Sequence, residues 1–168
     1  TLAGVPVSGA AAAAIAWDLP WLALALILIN RLLDGLDGAV ARAQGPSDFG
    51  GYLDSLADFA FYVAVPLGFA LAEPANQLPA AVLLASFTLT GISFLAFATI
   101  AAKRGLETRA HGTKSFFYST GLAEGAETIA VFVLMCLAPA WFAPLAWGYA
   151  ALCLLTVLQR SWLARRSF

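Results

Sequence analysis

The chain has 168 residues, of which 61% are hydrophobic and only 11% are charged, and its formal net charge is −1. A water-soluble domain carries about 25% charged residues, and a compact domain of about 150 residues leaves roughly 30% of its unfolded surface exposed. This composition excludes an ordinary water-soluble domain and predicts a membrane protein, and the charge gives no sign of nucleic-acid binding. Cys136 and Cys153 lie in separate apolar runs and are interpreted as small hydrophobic residues rather than as a disulfide.

Apolar runs of membrane-spanning length set the predicted fold. A spanning helix needs about 20 mostly apolar residues, and six candidates occur, at about 2–16, 21–42, 49–72, 80–102, 115–137 and 145–163. The sequence therefore predicts an all-α integral membrane protein with six transmembrane helices. No composition shift marks a second domain, so we expect residues 1–168 to form one membrane domain. Because Thr1 already lies in an apolar stretch, we also expect some N-terminal residues to be missing.

The basic residues are distributed asymmetrically over the predicted loops. All nine lie near the loops after helices two and four or at the C-terminus, namely Arg31, Arg42, Lys103, Arg104, Arg109, Lys114, Arg160, Arg165 and Arg166. The loops on the opposite side have none, and the tryptophans at 17, 21, 141 and 147 cluster there, as interface anchors do. The positive-inside rule therefore predicts that the 43–48 and 103–114 loops face the cytoplasm.

Acidic residues are concentrated at positions 34–58, which contain five of the ten in the chain. Asp34 and Asp37 are three apart on predicted helix two, and Asp54 and Asp58 are four apart on helix three, so each pair shares a helix face. The connecting loop is short, so we expect the two helices to be antiparallel neighbours. At 1.5 Å per residue, Asp37 and Asp54 lie at similar depths of about 9 Å from the loop. The four carboxylates can therefore converge just inside the cytoplasmic face.

Such a group of carboxylates needs a cation. An Asp at the centre of a spanning helix costs about 2.5–3.5 kcal/mol, and the nearby Arg31 and Arg42 are too few to neutralise four acids. Oxygen ligands suit Mg²⁺, Mn²⁺ or Ca²⁺ better than zinc. Two bridged ions are plausible, and paired metals are a recurrent device for phosphoryl transfer. Glycines beside the acids, at positions 35, 38, 50 and 51, predict a slot for a flat or extended ligand.

The pattern of this stretch resembles the signature of the CDP-alcohol phosphatidyltransferases. It reads Asp34-x2-Asp37-Gly38-x2-Ala41-Arg42-x7-Gly50-x3-Asp54-x3-Asp58, with no position missing, and the six-helix plan extends the resemblance over nearly the whole chain. The resemblance implies that the four aspartates bind two divalent cations, Mg²⁺ or Mn²⁺, and that Asp58 is the general base. It also implies that Gly38, Ala41, Arg42 and Gly50 contact the CDP group, and Thr1 occupies a position where related proteins often have a threonine near the nucleotide.

The reaction implied by this resemblance is attack of an alcohol on the β-phosphorus of CDP-diacylglycerol, with release of CMP. The family also implies a homodimer, and the chain looks similar to a bacterial inner-membrane subgroup. Arg31 lies inside a predicted span, so we expect it to serve the substrate site. Lys114, Glu124 and Glu127 are candidates for the pocket of the alcohol acceptor, because acids within an apolar span are functional candidates.

Other functions remain open at this level. Within the family, the chain could act on CDP-choline or CDP-ethanolamine with diacylglycerol. In a different class, the acids could be the ligands of a divalent-cation transporter, although transporter sites tend to lie near the membrane midplane. In a purely structural protein the acids would only pair with arginines, and four acids against two arginines disfavour that reading. The sequence does not identify the acceptor alcohol.

Overall fold

The computed structural model describes residues 3–45, 47–105 and 121–168, and this part of the chain is helical without strands. Its six α-helices are α1 (Gly4–Ala16), α2 (Pro20–Gln44), α3 (Asp48–Ala72), α4 (Gln77–Lys103), α5 (Gly125–Leu137) and α6 (Phe142–Ser167). Short 3-10 turns precede α4 and α6, at Pro74–Asn76 and Pro139–Trp141. These bounds agree with the predicted helices to within a few residues for all but the fifth. The prediction that the fifth helix includes residues 121–124 is wrong, because they are not helical and the capping box of Glu124 and Glu127 starts α5 at Gly125. Residues 115–120 of that predicted helix lie outside the described residues.

Local sequence explains how α2 and α3 are joined. Gly45 has a φ of 94°, a conformation that favours glycine, and it ends α2. Ser47 is the N-cap of α3, because its Oγ accepts a hydrogen bond from the backbone nitrogen of Gly50 at 3.1 Å. Asp48 lies in the first turn of α3, where a negative charge is favourable to the helix dipole. The connection is therefore short, and the acidic ends of both helices lie next to it.

Three helical segments of the described chain are long and apolar enough to cross a membrane: Asp48–Ala72, Pro74–Lys103 and Pro139–Ser167. The helices α1 and α5 are apolar but have only 13 residues each as described. The 25 residues of α2 are long enough, but charged side chains occupy its second half. The all-helical membrane fold is thus confirmed, whereas six spans remain a prediction.

The first helix organises the half of the fold that carries the acids. It packs closely against both α2 and α3, whose contacts with α1 are more extensive than those with each other. The predicted pairing of α2 with α3 is therefore mediated largely by a third helix. Gly68 of α3 allows α1 and α3 to approach closely, because a Cβ on it would lie 2.7 Å from the carbonyl oxygen of Ala12 in α1. The remaining core is aromatic, with Phe69 stacked on Phe142 at 4.4 Å between ring centroids.

Large apolar side chains also cover the outside of the helices, as a lipid environment requires. Leu32, Leu71 and Leu158 are each more than 60% exposed. Trp17 and Trp21, at the end of α2 remote from the acids, are 76% and 74% exposed. These exposures fit the prediction that tryptophans anchor that end at a membrane interface.

Candidate active site

Three carboxylates from two helices meet at one point. Asp34 of α2 and Asp54 and Asp58 of α3 each offer an oxygen atom, and these atoms lie within 4.8 Å of one another. Asp34 and Asp58 are half-buried, while Asp54 is exposed. Three carboxylate oxygens so close together repel each other, and they form a donor set that suits a hard divalent cation such as Mg²⁺ or Mn²⁺. We call these three residues the carboxylate cluster.

The fourth predicted ligand is not part of the cluster. Asp37 is half-buried on α2, one turn closer to the α2–α3 connection than Asp34. Among the described residues, the group of acids close enough to share an ion contains Asp34, Asp54 and Asp58 without it. The structure therefore brings together three of the four aspartates that the sequence grouped.

Arg31 contacts the carboxylate cluster from its buried side. Its Nη1 donates to Oδ1 of Asp58 at 2.9 Å and lies 3.7 Å from Oδ2 of Asp34. The side chain is only 15% exposed, and its guanidinium lies 4.2 Å from the ring centroid of Phe61. A cation in this position offsets part of the repulsion between the carboxylates. The sequence assigned Arg31 to substrate binding, whereas its contacts within the described chain are with acids, an aromatic ring and Asn30.

Most of the positions expected to contact the nucleotide are exposed. Gly38 is half-buried, and Ala41, Arg42 and Gly50 are exposed. The Arg42 side chain folds back over α2, since its Nη1 is 3.3 Å from where a Cβ on Gly38 would lie. A Cβ on Gly50 would lie 2.9 Å from the Ser47 hydroxyl, so this glycine makes room for the cap of α3. Thr1 lies outside the described residues.

A cavity of about 360 Å³ opens beside Asp58. Its walls come from α3, α4, α6 and the start of α5 with the residues before it, and they include Tyr62, Thr90, Glu124 and Arg160. Arg160 is held in place because its Nη1 donates to the carbonyl oxygen of Thr90 at 3.0 Å and to Ser93 Oγ at 2.8 Å. The cavity thus has a carboxylate of the cluster in one wall and a fixed cation in another, with mostly apolar surface between them.

The three predicted acceptor-pocket residues have different positions. Glu124 lines the cavity, and its Oε1 accepts from the backbone nitrogen of Gly121 at 2.7 Å. Glu127 instead completes a capping box at the start of α5, where its Oε2 accepts from the backbone nitrogen of Glu124 at 3.2 Å. This capping hydrogen bond accounts for an acidic residue at position 127 without any contact to a substrate. Lys114 lies outside the described residues.

Sequence reasoning missed two polar residues of this region. Arg160 was counted only as a C-terminal positive charge, although a cation well inside an apolar helix is a signal of function or pairing. Asn30 was not considered at all. It is only 2% exposed, and a buried amide in an apolar helix needs hydrogen-bond partners. An asparagine within a predicted apolar helix was therefore a signal available in the sequence.

The fold and this site define an all-helical membrane protein with a candidate divalent-cation site next to a small-molecule cavity. Comparison with known proteins makes the class specific. The family model of the CDP-alcohol phosphatidyltransferases matches residues 2–162. The chain is 52% identical over 150 residues to the inner membrane protein YnjF of Escherichia coli (strain K12), a match that covers 89% of this chain and 72% of that protein.

A second similarity is shorter. The chain is 45% identical over 64 residues to the bifunctional IPC transferase and DIPP synthase of Aquifex aeolicus (strain VF5), which covers 35% of this chain and 15% of that protein. No solved structure matches the chain.

The chain belongs to the CDP-alcohol phosphatidyltransferase family, as the signature predicted. It is therefore an enzyme that transfers a substituted phosphate group from a CDP-alcohol to an alcohol, and the family uses divalent metal ions. Membership of this family favours an enzyme over the divalent-cation transporter that the sequence left open.

Proposed function

We propose that the chain transfers a phosphatidyl group from CDP-diacylglycerol to an alcohol, with release of CMP, in phospholipid biosynthesis. The observation that carries the proposal is the carboxylate cluster of Asp34, Asp54 and Asp58 beside a cavity that Asp58 itself lines. Such a cavity lets a small polar alcohol reach a carboxylate at the place where a nucleotide diphosphate would be neutralised. The alternative is CDP-choline or CDP-ethanolamine as donor with diacylglycerol as acceptor, and CMP release from each donor distinguishes the two reactions.

The cluster residues fit the metal ions that the family uses. We propose that Asp34, Asp54 and Asp58 hold two divalent cations, Mg²⁺ or Mn²⁺, and that Asp37 completes the set. When bound, such ions neutralise the pyrophosphate and stabilise the charge that develops on the leaving phosphate. The donor set supports this, because carboxylate oxygens within 4.8 Å of each other match the ligand preference of both ions.

The protein residues divide the remaining work. Asp58 accepts the proton of the acceptor hydroxyl, and the oxygen then attacks the β-phosphorus while the bond from that phosphorus to the CMP oxygen breaks. Asp58 is suited to this role because it belongs to the cluster and also forms part of the cavity wall. Gly38, Ala41, Arg42 and Gly50 bind the CDP group in this proposal.

The acceptor occupies the cavity in this proposal. Glu124 and Arg160 provide polar groups that can orient an alcohol, while the aromatic walls exclude water from the reacting hydroxyl. Glu127 acts through the cap of α5, and Lys114 remains a candidate from sequence alone.

We further propose that residues 1–168 form one catalytic domain of a homodimer in the bacterial inner membrane, with the cluster facing the cytoplasm. The basic residues near the acidic ends of α2 and α3 support this orientation through the positive-inside rule. Chemical crosslinking in membranes tests the dimer. Labelling of a cysteine introduced at Ser47, from either side of sealed vesicles, tests the orientation.

The test of the reaction is CMP release by the purified protein in detergent. CDP-diacylglycerol with Mg²⁺ or Mn²⁺ is offered with a panel of small alcohols, and CDP-choline and CDP-ethanolamine are offered with diacylglycerol in parallel. We expect CMP only in the first series, and only with metal present. Release only in the second series selects the alternative donor, and no release in either refutes the proposed donor.

Asp58→Asn tests the role of the base. We expect CMP release to fall by about 10²–10⁴-fold, the usual contribution of a general base, while binding of the CDP nucleotide stays measurable. Turnover close to that of the wild type would remove Asp58 from this role.

A further inference from the structure

A buried polar network connects α1 to the carboxylate cluster. At its centre is Asn30 of α2, which is 2% exposed. The Asn30 amide nitrogen donates to the carbonyl oxygen of Gly4 at 2.8 Å and to Ser8 Oγ at 3.0 Å. The hydroxyl of Ser8 in turn donates to the Gly4 carbonyl at 3.0 Å. Two hydrogen bonds thus anchor the amide to α1 on its donor side.

The acceptor side of the same amide holds Arg31. Oδ1 of Asn30 accepts from Nε of Arg31 at 3.0 Å and also from its Nη2. The remaining terminal nitrogen, Nη1, donates to Asp58 Oδ1. Because a guanidinium is planar, two bonds along one edge fix the direction in which the third nitrogen points. The Phe61 ring against the guanidinium restricts its tilt.

We propose that Asn30 is a positioning residue of this enzyme, which sets the orientation of Arg31 and through it that of the Asp58 carboxylate. The proposal rests on the metal site of the proposed function, because it concerns the geometry in which Asp58 meets a cation. Outer partners of metal-binding groups orient those groups, and their loss costs about 10–100-fold in metal affinity or activity. Arg31 donates to both Asn30 and Asp58, so the effect of Asn30 on the Asp58 carboxylate passes through Arg31.

A purely structural role for Asn30 makes a different prediction. In that case the amide only links α1 to α2, and its loss lowers thermal stability without changing metal binding in the folded protein. Two substitutions separate these roles. Asn30→Leu removes both sides of the amide, whereas Asn30→Asp keeps an oxygen for Arg31 and loses the donors to α1.

The measurement is Mn²⁺ binding to the purified full chain in detergent, followed by electron paramagnetic resonance of the free ion, with the melting temperature of each variant recorded. We expect Asn30→Leu to weaken Mn²⁺ binding by about tenfold, the low end of the range for direct partners, because Asn30 acts through Arg31. Asn30→Asp should bind Mn²⁺ no more weakly than the wild type, although both variants melt earlier. Ser86→Ala is the control, since Ser86 is equally buried and its hydroxyl, which donates to the Leu83 carbonyl at 2.7 Å, lies outside the hydrogen-bond network of Asn30.

A double-mutant cycle tests whether Asn30 acts through Arg31. Arg31→Lys keeps the charge but cannot bond to Asn30 along one edge and to Asp58 at the same time. We expect Asn30→Leu to add no further loss of Mn²⁺ affinity in the Arg31→Lys background, because the route is already broken. Fully additive losses would overturn the proposal.

If Asn30→Leu does not fold, Asn30→Ala takes its place. It also removes the oxygen that accepts from Arg31 and should weaken Mn²⁺ binding in the same direction. Unchanged affinity in the folded variant, beside a wild type that binds Mn²⁺, overturns the positioning role alone. A wild type that binds no Mn²⁺ overturns both the metal site and this inference, whereas the expected pattern without any CMP release would refute only the proposed reaction.

Discussion

Gly68 of α3 lies close to the backbone of α1, and Gly68→Ala tests how closely the two helices pack. The added Cβ would lie 2.7 Å from the carbonyl oxygen of Ala12 and 3.0 Å from both the Ala12 Cα and the Ile15 Cβ, where ordinary contact begins at 3.4 Å. Two of these atoms are helix backbone, so no side-chain rotation relieves the clash and α1 itself has to move. Overpacking of this kind costs about 1–3 kcal/mol.

The cost can be measured with the two cysteines of the chain. Cys136 and Cys153 are both buried, so a thiol-reactive fluorophore reports their exposure as the protein unfolds in detergent. For a chain of 150–250 residues, 1 kcal/mol corresponds to about 2–4 °C in melting temperature. We therefore expect Gly68→Ala to melt several degrees below the wild type.

The matched control lies on the opposing helix. Gly9 is in α1 and has no atom within 4 Å of where a Cβ would lie, so Gly9→Ala adds the same methyl group without a clash. We expect it to melt at or above the wild-type temperature, because alanine favours a helix by up to about 1 kcal/mol over glycine. Equal melting temperatures for the Gly68 variant, the Gly9 variant and the wild type would refute the close α1–α3 packing described here.

Three further predictions concern the site. Asp54→Asn should weaken Mn²⁺ binding at least tenfold, whereas Asp48→Asn, in the first turn of α3 outside the cluster, should leave it unchanged; equal effects would refute the cluster as the binding site. Gly91→Ala places a methyl group against the ring of Phe59 in the cavity wall, so the KM for the active alcohol should rise while that for the CDP donor stays the same, and a change confined to the donor would contradict our location of the acceptor. Glu127→Ala removes half of the capping box and should cost about 0.5–1.5 kcal/mol of stability, the net contribution of one hydrogen bond, with an unchanged KM for the alcohol, whereas an altered KM at wild-type stability would assign Glu127 to the acceptor site.

Part of the site could be read from the sequence because the relevant signals are local. The spacing of Asp54 and Asp58 places both on one face of any helix that contains them. The loop at 43–48 is short, so the acids that flank it in α2 and α3 lie at the same end of the two helices. The family signature adds the chemistry, since it consists of the same local spacings.

Other assignments depended on contacts between distant segments and could not be derived this way. Glu124 and Glu127 are both acids at the start of α5, yet one lines the cavity and the other caps the helix. Asp34 and Asp37 are three residues apart and were expected on the same face of α2, yet only Asp34 belongs to the carboxylate cluster. Which member of each pair faces the site depends on the rotation of its helix, and packing sets that rotation.

The sequence by itself determined the membrane class, most of the helix bounds and the family, because hydropathy over about 20 residues and a fixed motif require no knowledge of tertiary contacts. Only the tertiary structure decided that α1 lies against both acid-bearing helices, with Gly68 as the point of close approach. It also decided that Asn30 joins α1 to Arg31 and Arg31 to Asp58. These contacts connect residues distant in the chain, 27 positions apart for Arg31 and Asp58 and further apart for Ala12 and Gly68. Their geometry arises from the way helices pack, which no local pattern encodes.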